Sequence, residues 1–171
     1  MNEIQTKLFE VICGIFNVEN IEKHYSESVI RYGILNYIAK FSLANDQYFV
    51  TEKSKKHLID LGILRDGKLR RGSKSTKLNF TYEHPIPCAV IGSEIIKNYK
   101  SPEKIKYILE WSDKVTVLTS EENNQLNSFY RSDMPTGWKF FENSPFERYE
   151  KSGVVNPKSL SKISVFGKVI R

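Results

Sequence analysis

Residues 78–84 read Leu-Asn-Phe-Thr-Tyr-Glu-His, with Leu78, Phe80 and Tyr82 at every second position. That period is the pattern of a half-buried strand. Pro85 and Pro87 follow at once, and proline cannot continue a strand ladder. The strand therefore ends at Glu83-His84, and the fold must contain a sheet. The N-terminal segments have a different period. Residues 3–16 place Ile4, Leu8, Val11, Ile12 and Ile15 near helical spacing, with Asn17 as a stop. Residues 26–43 carry a second helical face of Val29, Ile30, Ile34, Tyr37, Ile38 and Phe41, with Ser26 as the cap. The two periods in this order predict an α+β fold with a helical N-terminal part.

Further elements follow from local chemistry. Gln47–Val50 reads as a short strand. Thr51 caps a helix that exits at Gly62, and Asp66-Gly67 is a hairpin signal. The segment "AVIGSEIIKNY" returns to helix. Ser101, Pro102 and Glu103 open another with a cap, a first-position proline and an acid in the first turn. The β-branched run "KVTVLT" predicts a strand that passes straight into a helix capped by Thr119. From Pro135 the chain reads as largely irregular, with a short helix at "SPFERYEKSG" and a terminal strand at "KISVFGKVI". A length of 171 residues suits one domain over 1–171, within which 1–64 could form a helical lobe and 65–171 a second part.

Composition narrows the function classes. A hydrophobic share of 40% with 27% charged residues is ordinary for a soluble globular chain. No apolar run approaches a membrane span, and the N-terminus lacks the pattern of a secretory leader, so a cytoplasmic protein without membrane contact is expected. Cys13 and Cys88 match no metal-binding spacing and read as reduced thiols, Cys88 as a small buried residue. The net charge is +6, and Thr51–Lys77 holds nine Lys/Arg against three acids, 9 − 3 = +6, which is the whole excess. A basic segment on an otherwise balanced chain predicts a polyanionic partner. Lys53, Lys55, Lys56, Arg70, Arg71 and Lys74 are the candidate phosphate contacts; a solvated basic face is the alternative. The tail could present Trp138, Phe140 and Tyr149 to a nucleic acid with Arg131 and Arg148 on phosphates, although aromatics under a long loop more often pack. His24 and His57 read as surface or boundary histidines. No phosphate-cradling glycine loop, Ser-His-Asp arrangement or dinucleotide fingerprint is visible.

Three features suggest chemistry. A strand ends in Glu83-His84; a later strand, Val115–Thr119, runs into a helix; and that helix opens with Glu121, Glu122, Asn123 and Asn124. A carboxylate and an amide oxygen are hard ligands that suit Mg²⁺. An imidazole is a competent base near neutral pH. Adjacent strand residues point to opposite faces, so Glu83 and His84 converge only where regularity breaks, as Pro85 and Pro87 allow. The segment "YEHPIPCAVI" resembles the first half of an HNH, or ββα-metal, nuclease motif. "VTVLTSEENNQL" resembles its second half as found in the HNH domain of RNA-guided CRISPR effector nucleases, where a metal-binding Asn stands five residues after the Thr. The resemblance covers the two ends of the span 80–127. It implies a ββα-metal-like element near 78–130, His84 as general base, Glu83 and Asn124 as ligands of Mg²⁺ or Mn²⁺, and a DNA endonuclease activity. Asn123 is the ligand in the neighbouring register, and Glu122 a nearby acid. The chain departs from the family in having Glu for the usual Asp, Pro85 directly after the His, a long interval between the halves, and no later histidine. The expected function is an HNH-like, metal-dependent DNA endonuclease, compatible with restriction or phage defence and with a homodimer. The alternative is a non-catalytic nucleic-acid-binding or protein-interaction module using the basic segment 51–77.

Overall fold

The computed structural model describes residues 1–70 and 79–167. Arg71, Lys74 and the first part of the strand expected to begin before Asn79 lie outside the described residues. The fold is α+β with a helical N-terminus. Helix α1 (Glu3–Phe16) opens on a reciprocal cap in which the Asn2 side chain accepts from the Gln5 N–H and the Gln5 side chain accepts from the Asn2 N–H, each at 3.0 Å. A one-turn helix α2 (Ile21–His24) follows Asn20, whose φ is +59°. Helix α3 (Ser28–Leu43) has its cap at Glu27, one residue later than Ser26, and Glu27 makes no side-chain cap bond. The extra turn of α2 delays the start of α3.

Strand β1 (Gln47–Val50) enters the sheet, and Thr51 caps α4 (Glu52–Asp60) by accepting from the Ser54 N–H at 3.1 Å. Asp66 and Gly67, at φ of +49° and +70°, turn β2 (Leu64–Arg65) into β3 (Lys68–Arg70). Positive φ at both central residues is what a tight hairpin requires. Strand β4 (Phe80–Glu83) precedes α5 (Cys88–Lys97) and α6 (Pro102–Ser112). Strand β5 (Thr116–Thr119) leads directly into α7 (Ser120–Phe129), and α8 (Glu147–Ser152) and β6 (Ser161–Phe166) follow in the tail.

One mixed six-stranded sheet runs in the order β2-β3-β6-β1-β5-β4. β1 is parallel to β5 and antiparallel to β6, and β6 is also parallel to β3. The tail strand therefore sits inside the sheet and joins the hairpin to the rest. β4 is antiparallel to β5, with Tyr82 opposite Val117 and Glu83 opposite Thr116, and lies at the edge. One face of the sheet buries Tyr48, Val50, Val117, Phe80, Ile163 and Leu69 with Leu58 of α4. The other packs Leu118 against Leu126 of α7, Tyr149 of α8 and Val155. A separate helical core joins Ile12, Phe16, Ile34, Ile38 and Phe41 to Ile91, Ile95, Ile105 and Leu109. This core draws on α5 and α6 as well as on the N-terminal helices. Among the described residues no helix is long and apolar enough to cross a membrane.

Candidate functional site

Edge strand β4 delivers Glu83 and His84 to the rim of the sheet. The pleat then separates them. Glu83, on the face covered by α8, forms an ion pair with the Arg148 guanidinium and accepts a hydrogen bond from the Tyr149 hydroxyl. His84 turns toward α3, where its Nε2 lies 3.4 Å from the Ala39 carbonyl. Pro85 and Pro87 end the strand without overturning its alternation, so the predicted convergence of the two side chains does not occur. Both still line one pocket of about 280 Å³, together with Thr81, Tyr82, Cys88, Ala89, Arg131 and Ser132.

Arg148 is the organising residue of this corner. It is 1% exposed. Its Nε donates to the Pro85 carbonyl at 2.7 Å, its Nη2 to the His84 carbonyl at 2.6 Å, and its Nη1 to the Tyr130 carbonyl at 2.8 Å. One guanidinium thus holds three consecutive residues, 83 to 85, by a carboxylate and two carbonyls. Burial lowers the Arg148 pKa to about 10, so it remains charged at neutral pH. The expectation that Arg148 contacts phosphates is corrected, because its donors are already taken inside the protein. Tyr149 is likewise buried and unavailable for stacking on a base.

The burial of His84 lowers its pKa below the usual 6.5, opposed by the contact with the Ala39 carbonyl. The imidazole is therefore neutral at physiological pH. With Nε2–H directed at that carbonyl, Nδ1 is the basic nitrogen. Burial pushes the neighbouring Cys88 thiol up to about 12, so it is no nucleophile at neutral pH. The exposed guanidinium of Arg131 supplies positive charge at the pocket rim.

The proposed metal ligands are not assembled. Glu83 commits one oxygen to Arg148 and the other to Tyr149. On α7, Glu122 and Leu126 are buried and Asn124 is exposed. Asn124 is two residues from each of them, about 200° around the helix at 3.6 residues per turn, and so faces away from the sheet. Asn123 is half-buried, and neither asparagine lines the His84 pocket. Among the described residues, no group of three or more His, Cys, Asp and Glu could hold an ion. A hard cation with six or more oxygen ligands does not fit the donors as placed.

Glu122 has a different task. Its Oε2 accepts from the Thr119 N–H and hydroxyl at 2.9 Å each, from the Thr51 hydroxyl at 3.0 Å and from the Ser54 hydroxyl at 3.4 Å. It closes the cap of α7 and ties it to the cap of α4. The basic segment is dispersed around this frame. Lys53 and Lys56 are exposed on α4, Lys55 is half-buried there, and Arg70 is exposed at the end of β3. Lys53 lies 4.0 Å from Glu121 of α7.

No family model, curated protein or solved structure matches the chain. The fold and pocket define it as an α+β protein with a mixed sheet and a histidine pocket at the sheet's edge. Sequence reading placed Glu83 and His84 at the end of a strand, as β4 has them; it did not foresee the Arg148 clamp or the bonds of Glu122. The clamp joins residues 63 to 65 positions apart, and no local pattern marks such a pairing.

Proposed function

We propose that the protein hydrolyses phosphodiester bonds of nucleic acid, DNA in the first instance, with His84 as the general base. The observation that carries this reading is a neutral imidazole, fixed in orientation, in a pocket whose rim holds the exposed Arg131. Nδ1 of His84 takes a proton from water as the water oxygen attacks phosphorus. The bond from phosphorus to the leaving oxygen breaks, that oxygen takes a proton from solvent, and Arg131 offsets the charge that builds on the phosphoryl oxygens. Lys53, Lys55, Lys56 and Arg70 supply phosphate contacts away from the reacting bond. Mg²⁺ or Mn²⁺, which the HNH resemblance implies, would add charge neutralisation at the phosphate. Glu83 and Asn124 do not fit that ion as placed, so no step is assigned to it.

Plasmid nicking tests the reading, with Mg²⁺, Mn²⁺ or a chelator present. His84→Ala is expected to slow cleavage at least about 100-fold, the usual worth of a positioned general base. Equal cleavage by His84→Ala would remove the assigned mechanism. A strict metal requirement would count against the metal-free step as written. A second reading is a non-catalytic nucleic-acid-binding module, favoured by the neutralisation of Glu83 by Arg148. Binding without cleavage by wild-type protein under all three conditions would select it.

A further inference from the structure

The His84 pocket does not stand alone. It shares Ala89 and Ser132 with a second, larger pocket of about 510 Å³, a size typical of sites that hold small ligands, about 300–1,000 Å³. Together they line α5 from Cys88 to Lys97. The far wall of this groove is aromatic, made by Trp138, Phe140 and Phe141. Arg148 is already paired to Glu83, and the remaining lining holds four cations, Arg31, Lys97, Arg131 and Lys139, against two acids, Glu94 and Asp133. Lys97 is bonded to Glu94 at 3.0 Å, and Lys139 to Glu142, outside the lining, at 3.2 Å.

The aromatic wall is held in place at a cost. The Trp138 indole N–H donates to the Ser144 carbonyl at 2.9 Å, which fixes the ring. Phe140 meets Trp138 edge-on at 4.9 Å. Phe141 has a φ of +67°, a conformation that a bulky residue adopts only under constraint. Phe141 is 41% exposed, and its ring stacks at 4.6 Å on Tyr107, itself 58% exposed. Trp138 and Phe140 are half-buried and pack against the helical core, as the sequence favours, whereas Phe141 stays exposed on its strained backbone.

We infer that this groove binds an unpaired strand of nucleic acid, one base stacking against the Trp138–Phe140–Phe141 wall and the adjoining phosphodiester lying at His84. This rests on the proposed hydrolase reading and adds its substrate class. Every base has a π-face that an aromatic wall can engage without sequence choice. In a duplex those faces are already stacked on neighbours, so an unpaired strand gains more from the wall. Arg31 and Arg131 stand where the backbone on either side of the base would run, one beside the wall and one at the His84 pocket.

The test is fluorescence anisotropy with labelled oligonucleotides of one sequence as single-stranded DNA, single-stranded RNA and duplex DNA. Full-length wild type is compared with Phe141→Gly, Arg131→Gln and His84→Ala. Phe141→Gly is chosen because glycine accepts a φ of +67° without strain, so the fold is retained, as thermal melting checks. The expected result is tighter binding of a single strand than of duplex, with Phe141→Gly weakening single-strand binding about tenfold. Arg131→Gln is expected to weaken it and to flatten its salt dependence. The DNA and RNA arms identify which unpaired strand is preferred. Equal or tighter binding of duplex, no binding of any oligonucleotide, or unchanged binding by Phe141→Gly would overturn the inference. His84→Ala separates the two readings. It should slow cleavage while keeping the preference for a single strand over duplex, and if wild type binds single strands without cleaving, the groove stands and the hydrolase reading falls.

Discussion

Arg148 shows how one residue can decide the geometry of a corner. Its guanidinium meets the Glu83 carboxylate and the His84 and Pro85 carbonyls. Removing one member of a buried ion pair leaves the other charge stranded, which costs about 3–5 kcal/mol. Arg148→Met is therefore expected to lower the unfolding free energy by about that amount in denaturant titration. Arg131→Gln, at an exposed position, should stay within about 0.5 kcal/mol of wild type. His84 carries the pH dependence. Its folded pKa lies below the unfolded 6.5, so the unfolded chain binds more protons in the window beneath that value. Stability from His84 is thus present above pH 6.5 and falls as pH drops through the folded pKa. Cleavage should show an acid limb below pH 6.5, and His84→Asn should remove that part of the pH dependence of the unfolding midpoint.

At the scale of elements, the two strand-to-helix junctions β1–α4 and β5–α7 share one carboxylate. Glu122 accepts from Thr119, Thr51 and Ser54, so its loss removes a capping box and strands buried hydroxyls at once. Glu122→Ala is expected to cost about 2–3 kcal/mol, and Thr119→Ala about 1 kcal/mol, measured by chemical denaturation. Gly92 sits where α5 passes closest to Tyr25 and Leu35, and an added methyl would meet the Tyr25 hydroxyl and the Leu35 side chain. Gly92→Ala should destabilise by about 1–3 kcal/mol through overpacking, despite the better helix propensity of alanine.

Across the whole molecule, the sheet sets the spacing between its basic residues and the His84 pocket. Arg70 pairs with Phe166, beyond the Ser164–Gln47 pair, and Glu83 lies level with Phe49 through Thr116. Arg70 and His84 therefore lie toward the same end of the sheet. Across the sheet they are four strand spacings apart, about 19 Å at about 4.8 Å each, and further once the offset along the strands is added. One nucleic acid touching both must reach across several nucleotides, at about 3.4 Å per step of one strand. Combining Lys53→Ala, Lys55→Ala and Lys56→Ala should weaken binding evenly across sequences. It should also reduce the salt slope by about 1 for each phosphate no longer neutralised. An unchanged slope in salt titrations would place the phosphate path elsewhere.

By itself the sequence determined what depends on near neighbours. Thr51, Asp66-Gly67, Ser101-Pro102 and Thr119 specify their caps and turn through bonds and backbone angles spanning a few residues, and each reads correctly. The alternation through Phe80 and Tyr82 likewise marked β4, but the convergence of Glu83 and His84 expected at Pro85 and Pro87 did not follow. Tertiary structure alone decided the rest. It gave Glu83 to an arginine 65 residues away, Glu122 to a threonine 71 residues away, and His84 to a carbonyl 45 residues earlier. It also placed the tail strand in the middle of the sheet and turned Asn124 outward. Charge neutralisation and hydrogen-bond satisfaction in the interior depend on which groups meet in space, and a strand or helix pattern carries no information about a partner so far along the chain.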